Sequence, residues 1–278
     1  MKKIFDELSL SLSKETTKRY STSFSLGILC LGRDIRNPIY SIYAFVRLAD
    51  EIVDSFDGYP KSILLKELAQ DCFNAIDRGI STNPIIHSFQ QTVAKYNIDH
   101  ELIKQFLHSM EMDLQPMTYD NESFEKYILG SAEVVGLMCL YVFTNGNAVL
   151  FDSLKRFAMR LGSAFQKINF LRDMKADSQN LGRNYFPDTD LSNFSEIGKE
   201  TLLKDISKDF DEGLKGIRLL PRSSRYGVYL AYGFYKQLQL KIAGASVEIL
   251  LNKRIRVSNY QKLKLIISCY ASNKLNLI

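Results

Sequence analysis

Apolar residues recur at the helical period along nearly the whole chain, and this narrows the folds open to it. Ile39, Ile42, Tyr43, Val46 and Val53 fall near the repeat of about 3.6 residues, as do Phe157, Leu161, Phe165, Ile168 and Leu171. Alternating strand patterns with Asn-Gly turns are scarce. The periodic stretches break where helix ends are expected: at Asn37-Pro38, at Asp57-Gly58-Tyr59-Pro60, at Asn83-Pro84, at Asn145-Gly146-Asn147, and between Asn180 and Asn193, which holds Gly182 and Pro187. That leaves about eight or more helices. No Gly/Ser/Pro-rich linker, composition shift or fixed-period repeat divides the sequence, so the expectation is an all-α helical bundle in one domain over residues 1–278.

At 278 residues and 31.8 kDa, the chain can bury a sizeable core without disulfides. Hydrophobic residues at 46% and charged residues at 24% exclude a disordered or fibrous protein. Cys30, Cys72, Cys139 and Cys269 form no C-x-x-C pair, which argues against a zinc knuckle and points to a reducing, cytoplasmic setting. Asp6, Glu7, Lys14 and Glu15 interrupt any apolar stretch that could serve as an export signal. The longest apolar run, Val134 to Phe143, is half of the ~20 residues that a bilayer span needs, so no membrane crossing is expected. The net charge of +5 includes a basic end segment, Lys253, Arg254, Arg256, Lys262 and Lys264, which either meets anionic headgroups at a membrane surface or is a solvated helix face. A nucleic-acid partner is not expected, because that charge lacks interleaved aromatic residues and any recognised binding module. His87, His100 and His108 have no metal-ligand spacing.

Carboxylates carry the chemical signal. Asp50 and Asp54 lie four residues apart, as do Asp173 and Asp177, and on a helix this spacing puts both groups of a pair on one face. Such pairs suit hard cations such as Mg²⁺, commonly held by one or two carboxylates plus substrate phosphates. A lone D-x-x-x-D is weak evidence, since a chain of this length contains about one by chance. Asp205 and Asp209 share the spacing but sit among Lys204, Ser207, Lys208 and Asp211, which reads as a solvated face. The other pairs keep different company. Gln166, Asn169, Asp173 and Asp177 form one helical stripe, with Phe165, Ile168 and Leu171 on the opposite, core side. Arg47 lies three residues before Asp50, Arg172 adjoins Asp173, and Arg183 follows in Leu181-Gly182-Arg183-Asn184-Tyr185-Phe186-Pro187. Carboxylates for metal and guanidinium forks for phosphate oxygens are the two halves of a diphosphate site.

These residues resemble the squalene/phytoene synthase family, the head-to-head trans-isoprenyl diphosphate synthases, over most of the chain. Tyr20-Ser21-Thr22-Ser23-Phe24 is similar to its S-x-S-F segment, and Tyr43 to Asp54 to its Y-x-x-x-R-x-x-D-[DE]-x-x-D helix. Tyr127-x-x-Gly130-x-Ala132-x-x-Val135-Gly136 resembles its Y-x-x-G-x-A-G-x-V-G helix. Gln166 to Pro187 resembles Q-x-x-N-x-x-R-D-x-x-x-D followed by R-x-Y-[FL]-P, the most specific motif in the chain. Two positions depart. Glu133 stands where the family has Gly, adding a carboxylate near a helix kink that lines the pocket, and Val247 falls near a position often aromatic.

The resemblance implies an all-α isoprenoid synthase fold around a central apolar cavity. Asp50, Asp54, Asp173 and Asp177, with Asn169, would hold Mg²⁺ or Mn²⁺, and Tyr43 and Arg47 would join the aspartates in catalysis. Ser21, Ser23, Phe24, Arg47, Gln166, Asn169, Arg172, Arg183, Tyr185, Tyr235 and Arg254 would contact two prenyl diphosphate substrates. Ser21 and Ser23 are equally suited to capping a helix, and Phe24, Tyr43 and Tyr235 to packing a core. Among family members the chain looks most like bacterial ones that join two geranylgeranyl diphosphates to phytoene without NADPH. Union of two farnesyl diphosphates to dehydrosqualene or squalene is the alternative. A retired enzyme serving as a scaffold is disfavoured, because all four aspartates remain.

Overall fold

The computed structural model describes residues 1–115, 119–181, 185–187 and 194–274, with side chains at these positions except 175–181 and 272–274. Every regular element among them is helical. The first half comprises α1 (Lys2–Tyr20), α2 (Thr22–Leu29), α3 (Arg33–Ser55), α4 (Lys61–Arg78), α5 (Pro84–Tyr96) and α6 (His100–Met112). Next, α7 (Asn121–Ile128) runs through a π-helical turn, Leu129–Glu133, into α8 (Val134–Thr144). The second half comprises α9 (Ala148–Leu181), α10 (Glu196–Leu219), α11 (Arg222–Ala243), α12 (Val247–Asn252) and α13 (Asn259–Lys274).

Most expected breaks are helix ends with visible chemistry. Asn83 accepts the backbone N–H groups of Ile85 and Ile86 just ahead of Pro84, and Asn145 ends α8 at φ 49°. Asn37-Pro38 is different: α3 begins at Arg33 and continues through Pro38. The proline sits near the helix start, where it removes one intrahelical hydrogen bond without ending the helix.

Two apolar cores flank a cavity. In the first, Phe45 of α3 stacks on Phe89 of α5 with centroids 4.1 Å apart, among Leu65, Ile103, Phe106 and Met138. The second joins Ile168 and Leu171 of α9 to Ile206 and Phe210 of α10 and to Tyr235 and Ile242 of α11. A smaller cluster of Leu137, Leu140, Leu154 and Leu220 lies between α8, α9 and the end of α10. Helix α1 reverses the usual polarity: it buries Ser9, Ser13 and Thr17 and exposes Ile4, Leu8 and Leu12. Its small buried side chains allow close approach to α5, where Ser13 Oγ and Ser88 Oγ are 2.6 Å apart.

The expectation that no segment is long enough to span a bilayer changes once α7, the π turn and α8 are joined. By length and composition, Asn121–Thr144 suffices, yet more than half of its apolar window is buried in the fold. Core and cavity lining account for its apolarity.

The π turn is packed backbone to backbone. A Cβ on Gly130 would meet Gln105 O and Ser109 Cβ of α6 at 2.7 Å each, and one on Gly162 would meet Ala132 O at 2.7 Å. Gly130→Ala should therefore lower stability by about 1–3 kcal/mol despite the better helix propensity of alanine. A denaturant midpoint equal to that of the parent would show that this wall yields.

Candidate active site

A cavity of about 500 Å³ runs between the two cores, a size suited to a small-molecule ligand. Its polar part is built by α3 and α9. Asp50 and Asp54, one turn apart on α3, both line it, with Arg47 a turn earlier. Arg47 Nη1 lies 3.9 Å from Asp50 Oδ2, Nη2 pairs with Glu51, and the guanidinium sits 4.5 Å over the Tyr20 ring. Arg47 Nε is buried without a hydrogen-bond partner among the described residues.

On α9, Gln166, Asn169, Arg172 and Asp173 line the same cavity, as their shared stripe predicts. Asp173 is held between two guanidiniums. Arg172 donates Nε to Oδ1 at 3.0 Å and pairs Nη2 with Oδ2, while Arg254, from the segment between α12 and α13, places Nε 2.8 Å from Oδ1 and Nη2 3.2 Å from Oδ2. Asp177 continues the stripe on the α9 backbone, but its side chain, like the whole of Arg183, lies outside the described residues.

Aromatic rings tie the α3 and α9 groups together. Phe24 of α2 lies 5.5 Å from the Tyr43 ring and 5.8 Å from that of Tyr235, and Phe165 stacks on Tyr235 at 4.1 Å. Tyr235 OH donates to Asn169 Oδ1 at 3.3 Å. All four rings line the cavity. Phe165 thus faces the cavity, not the core alone as expected, because it precedes Gln166 at the edge of the polar stripe. Tyr185 also lines the cavity, donating its OH to Asp113 Oδ1 at 3.1 Å. Asp113 stands in no motif, and only its position at the end of an amphipathic helix offered a signal.

Ser21 lines the cavity and caps α2 by accepting the Phe24 N–H at 3.1 Å; Ser23 is not among the lining residues. Two expectations need correction. Glu133 does not line the pocket. The π turn sends Ser131 and Ala132 to the cavity, whereas Glu133 lies within electrostatic reach of Arg160, Asp209 and Lys167 on the far side of α9. Nor is Asp209 on a solvated face: it is 5% exposed and accepts Lys167 Nζ at 2.7 Å, Ser163 Oγ at 3.1 Å and Arg160 Nη1 at 3.3 Å. Its partners come from α9, beyond the reach of local composition.

The donor set fits a hard cation. Asp50, Asp54, Asn169 and Asp173 offer only oxygen ligands to one cavity, which suits Mg²⁺ shared with phosphate oxygens. Among the described residues, which leave out the Asp177 side chain, no group of three or more acidic, His or Cys side chains forms a ready-made cluster.

Burial pushes the Tyr43 hydroxyl up to about 12, and burial likewise raises Tyr127 and Tyr235. These phenols stay protonated near neutral pH, and those of Tyr127 and Tyr235 donate to Asp113 and Asn169. A raised folded-state value means stability is complete below pH ~10 and falls as pH climbs through the folded values. Absorbance titration at 295 nm should show delayed tyrosine ionisation in the folded protein, with loss of helical signal at high pH. Ionisation of every tyrosine near pH 10 without unfolding would contradict this environment.

Comparison with known proteins agrees with the geometry. The squalene/phytoene synthase family profile matches residues 17–261. Phytoene synthase 1 of Arabidopsis thaliana, a chloroplastic protein, is 28% identical over 94% of this chain, which spans 66% of that protein's length. The 15-cis-phytoene synthase of Synechococcus elongatus is 25% identical, with 90% of this chain and 88% of that protein aligned. Among solved structures, a dehydrosqualene synthase superposes with a TM-score of 0.82 at 20% identity, covering 97% of this chain and 98% of that one. Squalene synthase HpnC from Alicyclobacillus acidocaldarius gives 0.74 at 24% identity over 86% and 94%. These likenesses at low identity establish the all-α isoprenoid synthase fold, and with the profile covering most of its length, the chain belongs to the squalene/phytoene synthase family.

Proposed function

We propose that this protein joins two geranylgeranyl diphosphates head to head, through a cyclopropylcarbinyl diphosphate, to give phytoene and two diphosphates. The observation that carries the reading is the division of one cavity into a polar part, with Asp50, Asp54, Asp173, Arg47, Arg172 and Arg254, and an apolar remainder. Phytoene synthases among the similar proteins support the choice of substrate.

Asp50, Asp54, Asn169, Asp173 and Asp177 would hold Mg²⁺ or Mn²⁺. When bound, the metal supplies positive charge to the leaving diphosphate. Arg47, Arg172 and Arg254 grip phosphate oxygens as planar forks, with Asp173 exchanging its guanidinium contacts as the substrate enters. Ionisation breaks the C–O bond, and its electron pair leaves with diphosphate. The second substrate's double bond attacks the allylic cation, and loss of a first proton closes the cyclopropane of the intermediate diphosphate. A second ionisation, rearrangement and proton loss complete the product, with no call on NADPH. Phe24, Tyr43, Phe165 and Tyr235 offer ring faces to the cations, and the apolar walls exclude water.

Incubation of the purified protein with Mg²⁺ and geranylgeranyl diphosphate should yield a forty-carbon triene without reductant. EDTA should stop the reaction and Mg²⁺ restore it. Asp50→Ala, Asp54→Ala and Asp173→Ala should each lose at least about 100-fold in kcat with the helical signal intact. Product from farnesyl diphosphate alone would move the protein to dehydrosqualene or squalene synthesis, according to its need for NADPH. Full activity in EDTA would refute metal dependence.

We further infer a cytoplasmic protein that works at an anionic membrane surface, with α13 as the contact. Tyr260, Leu263, Ile267 and Tyr270 form an exposed stripe along α13, 52–75% accessible. Of the five basic residues noted in the sequence, Arg254 is tied to Asp173 and Lys262 to Thr22, leaving Lys253, Arg256 and Lys264 for headgroups, each worth about 1 kcal/mol near the surface. The protein should float with phosphatidylglycerol-containing vesicles and less with pure phosphatidylcholine. Leu263→Glu combined with Ile267→Glu should abolish flotation; retention by that variant would place the contact elsewhere.

A further inference from the structure

One face of α9 borders the cavity for most of the helix: Leu154, Phe157, Leu161, Phe165, Asn169 and Asp173, spaced three or four apart, all line it. The helix therefore measures the depth of the space. Sixteen residues separate Phe157 from Asp173, about 24 Å along the axis. Phe143 near the end of α8 and Leu220 just past α10 also line the cavity, and both belong with Phe157 to one apolar cluster, so three helices terminate at this depth. Arg225 stiffens this floor by donating Nε and Nη2 to Leu220 O at 3.1 and 2.9 Å. Phe157 is seated against bare backbone, since a Cβ on Gly216 of α10 would clash with its Cβ and lie 3.0 Å from its Cγ. Over the Phe157 ring, 5.3 Å from its centroid, lies the guanidinium of Arg156, which is 73% exposed and pairs with Glu212 of α10 at 2.7 Å. The ring thus stands between the cavity and the exterior.

We propose that Phe157 is the specificity-determining residue that limits the substrate to four isoprene units, an inference that rests on the prenyl diphosphate reading. Each unit adds four chain bonds, and three extended backbone bonds span at most about 3.6 Å, so four units reach about 19 Å and five about 24 Å. A diphosphate held at Asp173 takes up the first part of the depth measured along α9. Four units fill the rest, and a fifth needs the space that the Phe157 ring occupies. Leu154 and Leu220 are buried in the cluster with Leu137 and Leu140, whereas Phe157 packs against its edge. Phe157 is therefore the side chain whose loss lengthens the cavity, and Gly216 beside it has no side chain to refill the space.

The test uses the full chain, Mg²⁺ and the thiolodiphosphates of farnesol, geranylgeraniol and geranylfarnesol, unreactive probes in which sulfur replaces the bridging oxygen. Binding is read by calorimetry. The parent protein should bind the twenty-carbon probe at least about tenfold tighter than the twenty-five-carbon probe. Phe157→Ala should bring the twenty-five-carbon probe to equal or tighter binding. Phe157→Leu keeps an apolar side chain at the floor; it should move the ratio the same way by less, and it carries the test should the alanine variant fail to fold. Leu161→Ala, one turn nearer Asp173, widens the cavity without deepening it and should leave the ratio unchanged. No discrimination in the parent, an unmoved ratio in the folded Phe157 variants, or an equal gain in Leu161→Ala would each overturn the proposal. A parent that binds none of the three probes refutes the prenyl diphosphate reading and the proposal with it, whereas binding with an unmoved ratio refutes the role of Phe157 alone.

Discussion

One buried ion pair sets the rotation of α9, and the site depends on that rotation. Lys167 points away from the cavity to Asp209 of α10, with Ser163 and Arg160 reaching the same carboxylate from earlier turns. Both partners are nearly dry, at 12% and 6% side-chain exposure. Removing one member of such a pair strands the other and costs about 3–5 kcal/mol. Burial works against the Lys167 charge, yet its hydrogen bonds to Asp205 and Asp209 prevail and raise its proton affinity. With Lys167 fixed on one side, the helical repeat leaves Gln166, Asn169 and Asp173 on the cavity side. Gly213 and Gly216 of α10 let the two helices close up, since a Cβ at either would strike Leu161 or Phe157 at 3.0 Å or less.

The charges on the cavity side are balanced differently. Asp173 shares two guanidiniums, and Arg47 divides its contacts between Asp50 and Glu51. These groups are partly accessible, so their mutual attraction is screened and the pairs can be exchanged. Under the proposed function, an entering diphosphate would offer Arg172 and Arg254 new oxygens and free the Asp173 carboxylate. A rigid pair behind α9 and exchangeable pairs in front divide the labour of holding the helix and of binding a ligand.

Much of the fold and the polar stripe was legible in the sequence, because both depend on local periodicity. Helix ends at Asn83 and Asn145 follow from capping chemistry within a few residues, and the shared face of Gln166, Asn169 and Asp173 follows from helix geometry. Long-range partners carried no such mark. The surroundings of Asp205 and Asp209 are charged in sequence, and nothing local says that Lys167 of another helix buries the second of them. Asp113 was invisible for the same reason, since its two tyrosines lie 14 and 72 residues away. Pro38 misled in the opposite direction: it lies past the first turn of α3, and the helix continues through it with the loss of one backbone hydrogen bond.

Glu133 joins these strands of the structure. By sequence it belonged to the cavity, but the π turn changes the angular spacing, so Ser131 and Ala132 reach the cavity while Glu133 turns to the ion pair behind α9. Burial is the main cause of its raised pKa, with Asp209 opposing its ionisation and Arg160 and Lys167 favouring it. Three acids, Glu133, Asp205 and Asp209, therefore share two bases, Arg160 and Lys167. Glu133 is the acid for which no hydrogen bond or ion pair to either base is recorded among the described residues. It can take up a proton without disturbing the bonds that fix α9. A carboxylate in place of glycine is tolerated here because the turn aims it at existing cations, away from the surface on which a carbocation would form.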